Sequence, residues 1–178
     1  MSMSHKAFVF DYESFQSELR DLLERSLESG AVEPLKDFIE THRSRLKDPY
    51  EGEPLAPDWE SLVEYKDVHQ YGDFAITRYY EPDKDIGLGL SWQEAEETLK
   101  ENALGEDVVL GTPIGPEGRL FDPGKMGSYF QSPVTTRDHL RSVKELVRQR
   151  PDLDQRLGPV LAMLERAVTA GKGLYTTF

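Results

Sequence analysis

The chain has 178 residues, with 33 Asp/Glu against 21 Lys/Arg, a formal charge of −12 and no cysteine. Disulfide scaffolds, thiolate metal sites and cysteine nucleophiles are thereby excluded, and no run approaches the roughly 18 apolar residues of a membrane span. The negative field disfavours nucleic acid and anionic lipid as partners, while 38% hydrophobic and 10% aromatic residues exceed a disordered composition.

The length predicts one compact domain over residues 1–178, large enough to bury about 70% of its unfolded surface without metal or disulfides. Ala7-Phe8-Val9-Phe10, following Lys6, is too short for a signal-peptide core, so the expected location is cytoplasmic. Asp11 reads as an N-cap with Phe10 and Phe15 as a hydrophobic staple. Phe15, Leu19, Leu22, Leu23 and Leu27 then recur with helical spacing, and Gly30 closes the helix in a left-handed cap. A second helix from Pro34 places Leu35, Phe38, Ile39, His42 and Leu46 on one side, so 11–47 is expected to be a helical hairpin.

Residues 48–58 hold three prolines and four acids with no period, and read as an acidic linker. From 59 to 132 the expectation is a sheet region with one capped helix. Asp58 starts a short helix through Trp59, Leu62 and Val63; Phe74 to Tyr80 and Ile86 to Leu90 form a hairpin. Ser91-Trp92-Gln93-Glu94 is a capping box for a helix to about Asn102. Val108–Leu110, Arg119–Phe121 and Ser128–Gln131 are short strands between Gly- and Pro-rich turns. Over 133–171 helices return, near 135–149 and from Pro151 to Ala170, with Gly158-Pro159 as a kink or break and Gly171 as the stop. The order predicts an α+β fold: a helical hairpin, a small antiparallel sheet or meander in the middle, and C-terminal helices packed on it.

Catalytic spacing is absent. Gly118 precedes Gly124-Lys125 by five intervening residues and Met126 follows, so both the spacing and the hydroxyl of a phosphate loop are missing. Gly171-Lys172-Gly173 follows a helix and presents carbonyls rather than amides, and Gly87-Leu88-Gly89 lacks a dinucleotide fingerprint's third glycine. His5, read as part of a frayed terminus, and His42, His69 and His139 show no metal-binding spacing. Asp67 and His69, if extended, share a strand face and form the best dyad on offer, with no nucleophile elbow beside them. No cofactor or metal is therefore expected, and the balance leans away from an enzyme.

The charges are patterned instead. Residues 1–110 hold 11 Lys/Arg and 26 Asp/Glu (−15), and residues 111–178 hold 10 and 7 (+3). Glu94, Glu97 and Glu101 lie within about 60° of one another on a helix, and Glu106 and Asp107 extend the acidity. Arg137, Arg141, Lys144 and Arg148 form a comparably narrow basic ridge on the helix near 135–149. A solvated face is the ordinary reading of either stripe. The functional expectation is a small acidic binding protein, of inhibitor or immunity type, that meets a basic partner such as a toxin through Glu94, Glu97, Glu101, Glu106 and Asp107. The alternative is an enzyme or ligand-binding module whose anion-binding pocket uses Arg137, Arg141, Lys144 and Arg148.

Overall fold

The structure, a computed structural model, describes residues 2–178 apart from the side chain of Glu106. Its elements in chain order are β1 (Lys6–Phe10), α1 (Tyr12–Glu18), α2 (Arg20–Ser29), α3 (Glu33–His42), α4 (Val68–Ile76), α5 (Trp92–Glu101), β2 (Ser128–Gln131), α6 (Pro133–Gln149), α7 (Asp154–Thr169) and β3 (Gly173–Thr177). Short 3₁₀ turns occupy 43–45, 59–62, 77–79, 106–108 and 151–153. The fold is α+β. Two compact units are formed, one from residues 2–12, 85–112 and 129–178, the other from 13–84 and 113–128.

The first unit is built on a three-stranded sheet of order β1-β3-β2, in which β1 and β3 run antiparallel. Phe8 pairs with Tyr175 and Ala7 with Thr176, so alternate residues face opposite sides. One side carries an aromatic layer: Phe130 stacks on Tyr175 at 5.0 Å, and the Phe10 ring meets Phe130 edge-on at 5.3 Å. On the other side Ala7 and Leu174 join a core with Trp92, Leu99, Val143, Leu157, Val160 and Leu164 from α5, α6 and α7. Segment 85–89 covers the outer edge of β1, with Ile86 N donating to Ala7 O at 2.8 Å and His5 bridging Gly89, which leaves that edge unavailable to another chain. Gly173 is required where it stands: a Cβ there would lie 2.0 Å from the Gln131 carbonyl oxygen.

Two of these strands escape a reading of the sequence by pattern. Lys6–Phe10 and Gly173–Thr177 are five residues each, and both acquire strand geometry by pairing with distant segments, β1 with β3 and β3 also with β2. Helices α6 and α7 match their expected spans closely. Ser132 caps α6, its Oγ accepting from Thr135 N at 3.1 Å, with Pro133 in the first turn. Pro159 sits inside α7 without ending it, so of the kink or break expected at Gly158-Pro159 the break does not occur. Packing of Leu157, Val160, Met163 and Leu164, all fully or almost fully buried, holds the helix together across the missing N–H.

The second unit is helical. α2 packs on α3, and both pack on α4. The helix expected from Asp11 to Leu27 is present as α1 and α2, separated at Leu19, although Leu19 N still donates to Phe15 O and Leu23 N to Leu19 O, each at 2.9 Å. Gly30 ends α2 in the left-handed region (φ 78°), its N–H on Ser26 O. The core holds Phe15, Leu19, Leu23, Leu35, Ile39, Trp59, Phe74 and Ile76, each at most 1% exposed. Trp59 donates from Nε1 to Glu40 Oε1 at 2.8 Å while its ring meets Tyr71 edge-on.

Phe74 to Tyr80, expected as a strand, is helical as far as Tyr79, with Tyr80 extended. Residues 71–77 are all buried, so no polar face remains for a strand to turn outward, and tertiary burial outweighs the β preference of the Ile, Thr and Tyr residues. Asp67 starts α4, its carboxylate accepting from the amides of His69 (2.9 Å) and Gln70 (3.4 Å) while Gln70 Nε2 reaches back to it. Val108–Leu110 and Arg119–Phe121 are likewise turn and loop rather than strand.

Candidate functional site

The predicted site residues all belong to the first unit. Glu94, Glu97 and Glu101 are exposed on α5, opposite buried Trp92, Ala95 and Leu99, and the stripe forms as spaced. Ser91, however, does not cap this helix: its φ/ψ are already helical and its Oγ donates to Leu88 O at 2.7 Å. Glu94 pairs at 3.5 Å with Arg156 of α7. Asp107 Oδ2 lies 3.2 Å from His139 Nε2, and the side chain of Glu106 lies outside the described residues.

Arg137, Arg141, Lys144 and Arg148 are exposed on α6, but three of them have acidic neighbours. Arg141 lies 3.5 Å from Asp138, Lys144 lies 3.2 Å from Glu165 of α7, and Arg148 grips Glu145 with two bonds of 2.6 and 2.9 Å. The Arg148 guanidinium holds the Glu145 carboxyl down at about 2. Such exposed pairs contribute little to stability, yet they lower the ridge's net charge and weaken it as an anion site. Glu94 of the acidic stripe thus pairs with α7, and Arg141, Lys144 and Arg148 of the basic ridge pair with their own helix or with α7.

A cleft of about 550 Å³ opens between the end of α5 and the start of α7, where Glu101 and Asn102 face Arg150, Asp152 and Arg156. A smaller hollow of about 330 Å³ shares Arg156 and brings in Glu94. Arg150 is held by Asp152 through bonds of 3.0 and 2.8 Å, whereas Arg156 lies 3.5 Å from Glu94 and also acts on Asp152. The cleft is therefore polar and of mixed charge.

The histidines take structural roles. His5 is fully buried rather than frayed: its Nδ1 accepts from Leu88 N at 3.1 Å, so Nε2 carries the proton and donates to Val109 O, also at 3.1 Å. Burial pushes its pKa below the ordinary value. Asp67 and His69 form no dyad, because Asp67 is spent on the helix cap. His69 instead stacks on Phe121, with Nδ1 accepting from Asp122 N at 3.0 Å. His139 Nδ1 lies 2.8 Å from Gln131 Oε1, and Gln131 Nε2 donates to Val108 O, which fixes the amide orientation and makes Nδ1 the donor. This chain ties α6 to β2 and the 106–108 turn. Among the described residues no group of three His, Asp or Glu is placed to hold a metal ion.

The second unit contributes what the spacing arguments miss. It holds 20 Asp/Glu and 11 Lys/Arg (−9), against 13 and 10 (−3) in the first unit. Glu51, Glu53, Asp58 and Glu64 are exposed in its 48–67 stretch, alongside Tyr50, Leu62 and Tyr65, which are 70%, 60% and 87% exposed. Counting charge by space rather than by sequence position would have found it.

No family model matches the chain, and no curated protein or solved structure matches it either.

Proposed function

We propose that the protein is a small acidic binding protein that neutralises a basic partner, as an inhibitor or immunity-type protein does a basic toxin. The observation that carries this reading is the −9 charge of the second unit, combined with large exposed side chains inside its acidic 48–67 stretch. Carboxylates accelerate encounter with a basic surface, and tyrosines supply contact area at low entropic cost. The test is affinity capture from the source cell at low salt, followed by native mass spectrometry of the purified pair. A basic protein bound one to one is expected, with affinity falling as salt rises and falling about tenfold or more for Glu64→Lys with Tyr65→Ala. Capture of no basic partner at low or high salt would sink the proposal.

The cleft at the end of α5 favours a second reading, a ligand-binding module for a small anion, now centred on Arg156 and Arg150 rather than on the α6 ridge. A thermal-shift screen with phosphates, nucleotides and carboxylates tests it. Stabilisation abolished by Arg156→Ala supports it, and a flat screen removes it.

A further inference from the structure

A hollow of about 230 Å³ opens beside α2, lined by Leu22, Arg25, Ser26 and Ser29 of that helix and by Pro34 in the first turn of α3. The four α2 residues stand at i, i+3, i+4 and i+7, so they share one face of the helix. Ser26 forms the floor. It is 2% exposed, and its Oγ has no hydrogen-bond partner among the described residues. The neighbouring polar groups are engaged: Ser29 Oγ accepts from Ala31 N at 3.2 Å, and Arg25 meets Asp21 at 3.5 Å.

A buried hydroxyl without a partner is costly, because water satisfies it in the unfolded chain. Alanine would fill the same position with better helix propensity and no orphaned group, so serine is useful there when something outside the chain completes its bond. We propose that the hollow is a binding site for a small neutral phenol, whose hydroxyl bonds to Ser26 Oγ while its ring packs on Leu22 and Pro34. The volume suits a single ring, being below the roughly 300–1,000 Å³ of drug-sized sites. The Arg25 guanidinium beside it favours an aromatic face over an aliphatic chain. A carboxylate fits less well, since Arg25 already faces Asp21, and Glu24, Glu28 and Glu33 flank the lining in sequence. The Arg25 side chain is 72% exposed and its contact with Asp21 is long, so it can move aside to admit the ring to the floor. The site is separate from the acidic 48–67 stretch and needs no protein partner.

The test is a set of NMR titrations of the full chain with phenol, benzene and benzoate. Phenol is expected to give saturable shifts at the amides of Arg25, Ser26 and Ser29, with ring-proton contacts to Pro34. Benzene, which lacks the hydroxyl, should bind about tenfold more weakly, and benzoate should give no saturable shift at these amides. Ser26→Ala should keep or raise the Tm of the unliganded chain, because no internal bond is lost, and should abolish the preference for phenol over benzene. In the native chain, equal binding of phenol and benzene, or no saturable shift at about 20 mM phenol, would overturn the site whatever the variant does. So would a Ser26→Ala chain that keeps the preference, or one that is markedly less stable or fails to fold, since the hydroxyl would then be bonded within the chain.

Discussion

Single residues decide the pH response, and two buried groups pull it in opposite directions. His5 stays neutral because both ring nitrogens are committed to backbone partners in a dry site. The unfolded chain takes up its proton first as pH falls, so the His5 contribution is intact above about 6.5 and is lost below it. Asp73 behaves in the reverse sense: the folded state keeps a proton that the unfolded chain has released, so its contribution is full below 3.8 and is lost as pH rises to about 7. Ring ¹⁵N spectra are expected to show the Nε2–H tautomer at His5 and a midpoint below the ordinary value; a midpoint at or above it would refute the burial argument. Neither residue was legible as special. His5 sits in an unpatterned terminus, and Asp73 immediately precedes the Phe74–Tyr80 stretch whose alternation suggests a strand.

At the scale of elements, two capping signals compete for attention and only one works. Ser91-Trp92-Gln93-Glu94 has the capping-box pattern, yet Ser91 turns its hydroxyl back to Leu88. Asp67-Val68-His69-Gln70 carries an equivalent pattern, and there the carboxylate does cap, converting an expected strand region into α4. That motif was present in the sequence and was the available signal for the helix. The difference is physical. Asp67 has extended backbone (ψ 101°), which aims its side chain at the first amides, whereas Ser91 (ψ 0°) is already helical. Ser132→Ala and Asp67→Ala are therefore expected to cost about 1 kcal/mol each, and Ser91→Ala clearly less, as read by urea denaturation. An Ser91→Ala loss equal to the other two would mean that Ser91 does cap.

At the scale of the whole molecule the charge is uneven. Division at residue 110 puts the acid in the earlier part of the sequence, whereas division by compact unit places −9 in the helical unit and −3 in the sheet unit. The difference arises because residues 1–12 and 85–112 fold with the basic C-terminal helices. Exposed ion pairs contribute little either way, so self-repulsion should dominate the salt response. Raising sodium chloride from about 0.05 M to about 0.5 M is expected to raise Tm by a few degrees. A fall over that range would show that the surface ion pairs outweigh the repulsion.

Local pattern by itself determined the α+β class, the Gly30 stop, the spans of α5 and α6 and the faces they bury, because helical periodicity and turn chemistry act within a few residues. Only tertiary structure decided the rest. β1 and β3 are separated by more than 160 residues and become strands through each other's hydrogen bonds. The 74–79 stretch is helical because its burial, together with the Asp67 cap, outweighs the strand pattern, and three of the four ridge cations acquired acidic neighbours on their own helix and on α7. Each of these depends on partners distant in the chain or on burial, which spacing along a sequence does not encode.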